Sequence, residues 1–136
     1  ASLGIGHLED KNCTELSGGE RQMARFAAAM VQEPELLLLD EPTSYLDFGN
    51  QIKVLKTVKK LAAKKNISVI MATHAPEQAF LVGTLAAMLN RGRLLVWGTP
   101  AQVITETAVS GTFGVHVKIT DIDVKRGIKS CTALMD

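Results

Sequence analysis

Aromatic residues make up only 4% of this sequence, and it holds two cysteines in 136 residues. Few aromatics argue against a base-stacking surface for single-stranded nucleic acid. Cys13 and Cys131 are far apart and neither has a motif partner. That excludes a disulfide framework or a zinc knuckle and fits a reducing compartment such as the cytosol. No long apolar run is present: the most apolar stretch, Phe80 to Leu89, falls far short of the ~20 residues that span a bilayer. Neither sign of charge dominates, with 15 basic residues against 14 acidic ones and a net charge of +1. Bulk attraction to nucleic acid or to an anionic membrane is thereby excluded. Internal repeats, low-complexity tracts and a signal-peptide pattern are absent as well. The first residue is Ala1 and not Met, which suggests a chain cut from something longer.

What is present is the material of a globular domain. Hydrophobic residues make up 46% and charged residues 21%, and a complete domain of this length buries about two-thirds of its unfolded surface. From Ser17 to about Gln32, Met23, Phe26, Ala27, Met30 and Val31 recur at the spacing of one helix face. Ser17 and Glu20 have the form of a capping box, and Pro34 stands beyond the helix end. "ELLLLDEPTS", bracketed by Pro34 and Pro42, predicts a strand buried on both faces of a parallel sheet. Gly49 to about Lys65 predicts a second amphipathic helix, whose six lysines read as a solvated face and not a nucleic-acid patch. "ISVIMATH" follows as a second buried strand ending at His74. Next come a helix over "PEQAFLV", two short strands joined at Asn90 to Gly92, and a helix over "TPAQVITE". "FGVHVKITDIDV" alternates like a strand or hairpin, while the last ten residues carry no readable pattern. This element order predicts an α/β layered fold with a parallel sheet.

The chemistry gathers at strand ends. In α/β sheets ligands collect at the carboxyl ends of strands, and an acidic pair is costly there unless a cation or a reacting water needs it. Asp40 and Glu41 would point to opposite sides of the strand, leaving one for Mg²⁺ and the other for a water. The plainer alternative is a strand-end acid that caps the next turn. His74 would stand at the same sheet edge, as would Ser44 and Asp47 in the loop after Pro42. Taken alone, that loop is an ordinary turn and helix cap.

"LSGGERQ", "LLLLDEPTS", "SYLD" and "TH" in this order resemble the signature, Walker B, D-loop and H-loop of an ABC-transporter ATPase subunit. The likeness runs from about Leu3 to Val117, and "LDFGNQ", "PEQAF" and "GTPAQVIT" are most similar to importers of iron-siderophore, haem, cobalamin or molybdate. The resemblance implies a partial P-loop-NTPase-type (RecA-like) parallel sheet with flanking helices, preceded by the end of the helical subdomain. Residues 1–33 would be that subdomain end, 34–106 the C-terminal part of the nucleotide-binding core, and 107–136 a C-terminal extension. It also implies ATP and Mg²⁺ as cofactors. Asp40 would hold the metal through water, Glu41 would polarise the attacking water, and His74 would contact the γ-phosphate. Ser17, Gly18, Gly19 and Glu20 would meet the ATP of a facing subunit, with Ser44 and Asp47 along the dimer seam. A helix N-terminus suits such an anion. The implied partners are a second ATPase subunit, transmembrane permease subunits and, indirectly, a substrate-binding protein, with no nucleic acid. The implied location is the cytoplasmic face of the cell membrane.

Departures from the family pattern accompany the likeness. No G-x-x-x-x-G-K-[ST] occurs in the 136 residues, so the phosphate-cradling lysine is missing from them. The expected reading is the C-terminal half of such a subunit, active when intact and inactive alone. The competing reading is a non-catalytic fragment or degenerate paralogue that serves as an interaction module. Smaller departures are Ala75, where an acidic or amide residue is frequent, Tyr45 in place of alanine, and Ala28 in place of arginine.

Overall fold

The structure is a computed structural model that describes residues 4–64 and 67–135. It divides into two compact units, Ala1–Thr73 and His74–Asp136.

In the first unit, helix α1 (Gly18–Val31) is followed by strand β1 (Leu36–Asp40), helix α2 (Phe48–Ala62) and strand β2 (Ser68–Ala72). The strands pair in parallel from Leu36↔Ser68 to Asp40↔Ala72, and α2 is the crossover that parallel pairing requires. Phe26 from α1, Leu37 from β1 and Val54, Val58 and Leu61 from α2 form the buried core, with Met23, Leu39, Val69 and Met71 packed against it. The apolar periodicity of both helices is therefore spent on one shared interior. Helix α1 starts and stops within a residue of the expected bounds. Helix α2 is shorter than expected, and Lys65, its expected last residue, lies outside the described residues.

The strands differ from the expectation of burial on both faces. Leu37 and Leu39 face inward, whereas Leu36, Leu38 and Ile70 are 50%, 68% and 60% exposed. Among the described residues, helices of this unit cover one face of the strand pair only. A continuous leucine run records that both faces suit burial; it does not say what supplies the cover.

The second unit holds helix α3 (Pro76–Val82), strands β3 (Ala86–Asn90) and β4 (Arg93–Gly98), short helices α4 (Pro100–Val103) and α5 (Glu106–Phe113), and strands β5 (Val117–Asp123) and β6 (Ile128–Ala133). β3 and β4 are an antiparallel hairpin, with Arg91 and Gly92 at φ 48° and 74°. Two positive φ values at consecutive turn residues match the right-handed twist of a hairpin, and glycine adopts one at no steric cost. Phe80, Met88, Val103, Ile104, Val109 and Val117 are the core. Two elements were not anticipated. Helix α5 is eight residues long with only Val109 buried, too short for a periodic stripe. Strand β6 lies in the final ten residues and pairs with β5 from Val117↔Ala133 to Asp123↔Ile128. Its evidence is the backbone ladder, which leaves little trace in side-chain pattern.

Candidate functional site

The candidate site is built from one strand end and two helix starts of the first unit. Asp40 is the last residue of β1 and pairs with Ala72 at the end of β2, so both strands finish together. The Glu41 N–H extends the ladder by one bond, to the Ala72 carbonyl at 3.0 Å. The chain then turns sharply, with Glu41 at φ 42°. The expected separation of the two carboxylates by strand pleating is corrected here, because Glu41 has left extended geometry. A non-glycine residue in this region costs on the order of 1–3 kcal/mol and persists only where its surroundings enforce it. Here they do: Ser44 donates through its N–H to the Glu41 carbonyl at 3.1 Å and through its hydroxyl to Glu41 Oε2 at 2.7 Å. Buried Pro42 and Thr43 lie between them. Asp40 and Glu41 are both exposed, so the strand end carries two solvent-facing acidic residues in succession.

Ser17 is the N-cap of α1, and the expected capping box is present. The Glu20 N–H donates to Ser17 Oγ at 3.2 Å, and the Ser17 N–H donates to Glu20 Oε2 at 2.8 Å. Lys11 Nζ pairs with the other oxygen at 3.1 Å, and His7 Nε2 lies 3.7 Å from it. The Ser17 N–H, with Lys11, lowers the Glu20 carboxyl from its ordinary 4.5 to about 2. A carboxyl with a depressed folded value stabilises the fold above its unfolded pKa, and that contribution is lost as pH falls through the folded one. We therefore expect a Glu20-dependent loss of stability between about pH 4.5 and 2. Thermal melts across that range should show wild type and Glu20→Gln converging as the pH drops. A constant gap between them would contradict the assignment.

The second helix start is similar. Asp47 caps α2 by accepting the Asn50 N–H at 2.9 Å on Oδ1, while the Asn50 side-chain amide donates to Oδ2 at 2.6 Å. The Asn50 N–H is the largest cause of the lowered Asp47 pKa. Each start is also tied backwards over five residues: Arg21 Nη2 donates to the Leu16 carbonyl at 3.2 Å and Gln51 Nε2 to the Leu46 carbonyl at 3.1 Å. The two starts abut. A Cβ on Gly19 would lie 2.6 Å from Asn50 Cγ, and one on Gly18 would lie 3.2 Å from Leu46 Cδ2. Gly19 is thus held to glycine by close helix packing in its own chain, while a Cβ on Gly18 would ask the Leu46 side chain to give by a few tenths of an ångström.

The structure therefore brings Ser17, Gly18, Gly19 and Glu20 next to the Ser44 to Asp47 loop, and that loop follows directly from Asp40 and Glu41. His74 is exposed and opens the second unit, two residues after β2 ends. Ala28 is exposed on α1, so the missing arginine opens no gap in the described core. Asn50, Lys11 and Gln51 did not emerge from the sequence as members of the site. For Asn50 a signal existed, since D-x-x-N has the spacing of the S-x-x-E box.

The sequence profile of the ABC transporter family matches residues 1–44. An inward-facing metal-chelate type ABC transporter superposes with a TM-score of 0.89 at 31% identity, over 98% of this chain and 54% of that one. The chain belongs to the ABC-transporter ATP-binding family. Its α/β architecture is that of the ABC cassette, a P-loop NTPase fold. Among ABC relatives, the ferric enterobactin transport ATP-binding protein FepC of Escherichia coli is 33% identical over 88% of this chain and 44% of its own. The hemin import ATP-binding protein HmuV of Burkholderia thailandensis is 35% identical over 89% of this chain and 48% of its own. This ABC chain thus spans somewhat less than half of each of these two relatives.

Proposed function

We propose that these residues form the C-terminal portion of the ATP-hydrolysing subunit of an ABC importer for a metal complex or oxyanion: iron-siderophore, haem, cobalamin or molybdate. The observation that carries the reading is the Asp40–Glu41 strand end, with Glu41 fixed by Ser44 in the same compact unit as the capped glycine helix start. Names of relatives that import ferric enterobactin and hemin support the substrate class.

The residues present fit Mg²⁺ in the way ATPases use it. That ion keeps waters and takes one or two carboxylates together with substrate phosphates. Asp40 is a single exposed carboxylate, and among the described residues no group of three or more His, Cys, Asp or Glu could hold a metal by itself. Asp40 would hold Mg²⁺ through water, and the bound metal would supply neutralising charge to the β- and γ-phosphate oxygens. Glu41 would take up a proton from the attacking water and orient it, while His74 would contact the γ-phosphate. Ser17, Gly18 and Gly19 would present a hydroxyl and N–H groups at the α1 start to the ATP of a facing subunit, and Glu20 would hold that start in shape. Ser44 and Asp47 would line the seam between two ATPase subunits.

In this reading residues 1–33 end the helical subdomain, 34–106 belong to the nucleotide-binding core and 107–136 extend it. The partners are a second ATPase subunit and transmembrane permease subunits, with a substrate-binding protein acting at a distance. The subunit works at the cytoplasmic face of the membrane. Among the described residues no helix is long and apolar enough to cross one.

The 136 residues contain no G-x-x-x-x-G-K-[ST], so we expect the isolated chain to be inactive and not to retain Mg·ATP. Titration with a fluorescent ATP analogue should give no saturable binding in the micromolar range; such binding would overturn the expectation. The non-catalytic alternative finds support in the exposed apolar row Leu36, Leu38 and Ile70, since such patches mark interaction sites. Turnover by the full-length subunit separates the two readings.

A further inference from the structure

Asn50 occupies a junction that the proposed catalytic roles leave unexplained. It lies in the first turn of α2, and both of its ends are engaged. Its N–H and side-chain amide take one Asp47 carboxylate oxygen each, at 2.9 and 2.6 Å. Its Oδ1 accepts from Lys53 Nζ at 3.3 Å. The same Cγ and Oδ1 cover buried Gly19 so closely that a Cβ there would lie 2.6 and 2.7 Å from them. Capping of α2 needs only the Asn50 backbone N–H, which any residue but proline supplies. What the side chain adds is a second grip on Asp47 and a fixed surface for the glycine helix start.

We propose that Asn50 is a positioning residue that locks the Asp47 carboxylate and the Gly18–Gly19 helix start into one corner, so that both elements meet a nucleotide in fixed register. The inference rests on the ATPase reading for what the corner serves. The corner itself rests on the contacts alone. Register matters because phosphoryl transfer depends on positioning, and a displacement of about 1 Å by a mutation remote from the reacting atoms can cost on the order of 100-fold. Without the amide, Asp47 keeps only backbone hydrogen bonds, while the α1 start loses the side chain that covers Gly19.

Two sets of measurements test this. In the 136-residue chain, carboxyl titration followed by NMR should show Asp47 moving toward its ordinary range in Asn50→Ala. Gly19→Ala should lower the melting midpoint by about 5 °C or more, and most of that cost should vanish when Asn50→Ala makes room. In the full-length subunit, Asn50→Ala should lower kcat about tenfold to a hundredfold while binding of a labelled ATP analogue to its own phosphate-binding loop is unchanged. In Asn50→Asp the deficit should shrink as pH falls, because protonation of the introduced carboxyl restores a donor to Asp47; Asn50→Ala should show no such trend. Wild-type kcat in Asn50→Ala, or a Gly19→Ala cost undiminished in the double variant, overturns the inference. A wild-type subunit without ATP turnover would instead sink the ATPase reading, and the titration and coupling measurements would then decide whether the corner exists.

Discussion

Glu41→Gln in the full-length subunit is expected to lower steady-state phosphate release by about 10² to 10⁴-fold, the range for loss of a general base, while ATP stays bound. The substitution keeps shape and the backbone contacts: the Glu41 N–H still reaches the Ala72 carbonyl, and the Ser44 hydroxyl still finds an oxygen acceptor. What is removed is the negative charge and, with it, the ability to take up a proton. Turnover and retention of labelled ATP, measured together, separate this from failed binding, which would lower both. Glu41→Gly is an informative companion, because glycine suits φ 42° and deletes the same carboxylate without backbone strain. It should match Glu41→Gln in lost turnover while remaining as well folded. Undiminished hydrolysis in either variant would remove Glu41 from the proposed role and leave its left-handed backbone to be explained as a turn alone.

Sequence and structure agree where a local rule has a single physical cause. Ser17 and Glu20 have the capping-box spacing, and both reciprocal bonds form. The helix α1 stripe and the "PEQAFLV" helix follow from periodicity and from Pro76 at a first turn. The site was legible as a set of motifs, but its joints were not. The pattern of the leucine run predicts an extended pleat through Glu41, because strand ends carry no mark of where extension stops. Gly18 and Gly19 suggested a phosphate, and packing against Leu46 and Asn50 gives them a second reason that only three-dimensional proximity reveals. Leucine at 36 and 38 registers a preference for burial, yet the fraction buried depends on neighbours from elsewhere. Strand β6 is held through its ladder to β5, and a polar "IKSCT" stretch gives no pattern from which to expect it.

The strongest expected effect on stability comes from a residue with no part in the chemistry. Phe26 is 2% exposed and packs among Leu37, Val54, Val58 and Leu61, so it touches both helices' shared core and the strand that ends in Asp40. Phe26→Ala removes a ring from a close-packed site that can collapse only in part, at a cost of about 3–5 kcal/mol. Against a typical total of about 5–15 kcal/mol, that is a large share of what keeps a domain folded. Urea denaturation followed by circular dichroism should show the lost stability as a lower midpoint with a similar slope. Phe48→Ala is the control, since Phe48 is 79% exposed and surface changes of this kind stay within about 0.5 kcal/mol. If both variants moved the midpoint equally, the burial of Phe26 would be wrong. If Phe26→Ala alone did so, the interior shared by α1, β1 and α2, which lies behind both the glycine helix start and the Asp40–Glu41 strand end, would be seen to rest in large part on one ring.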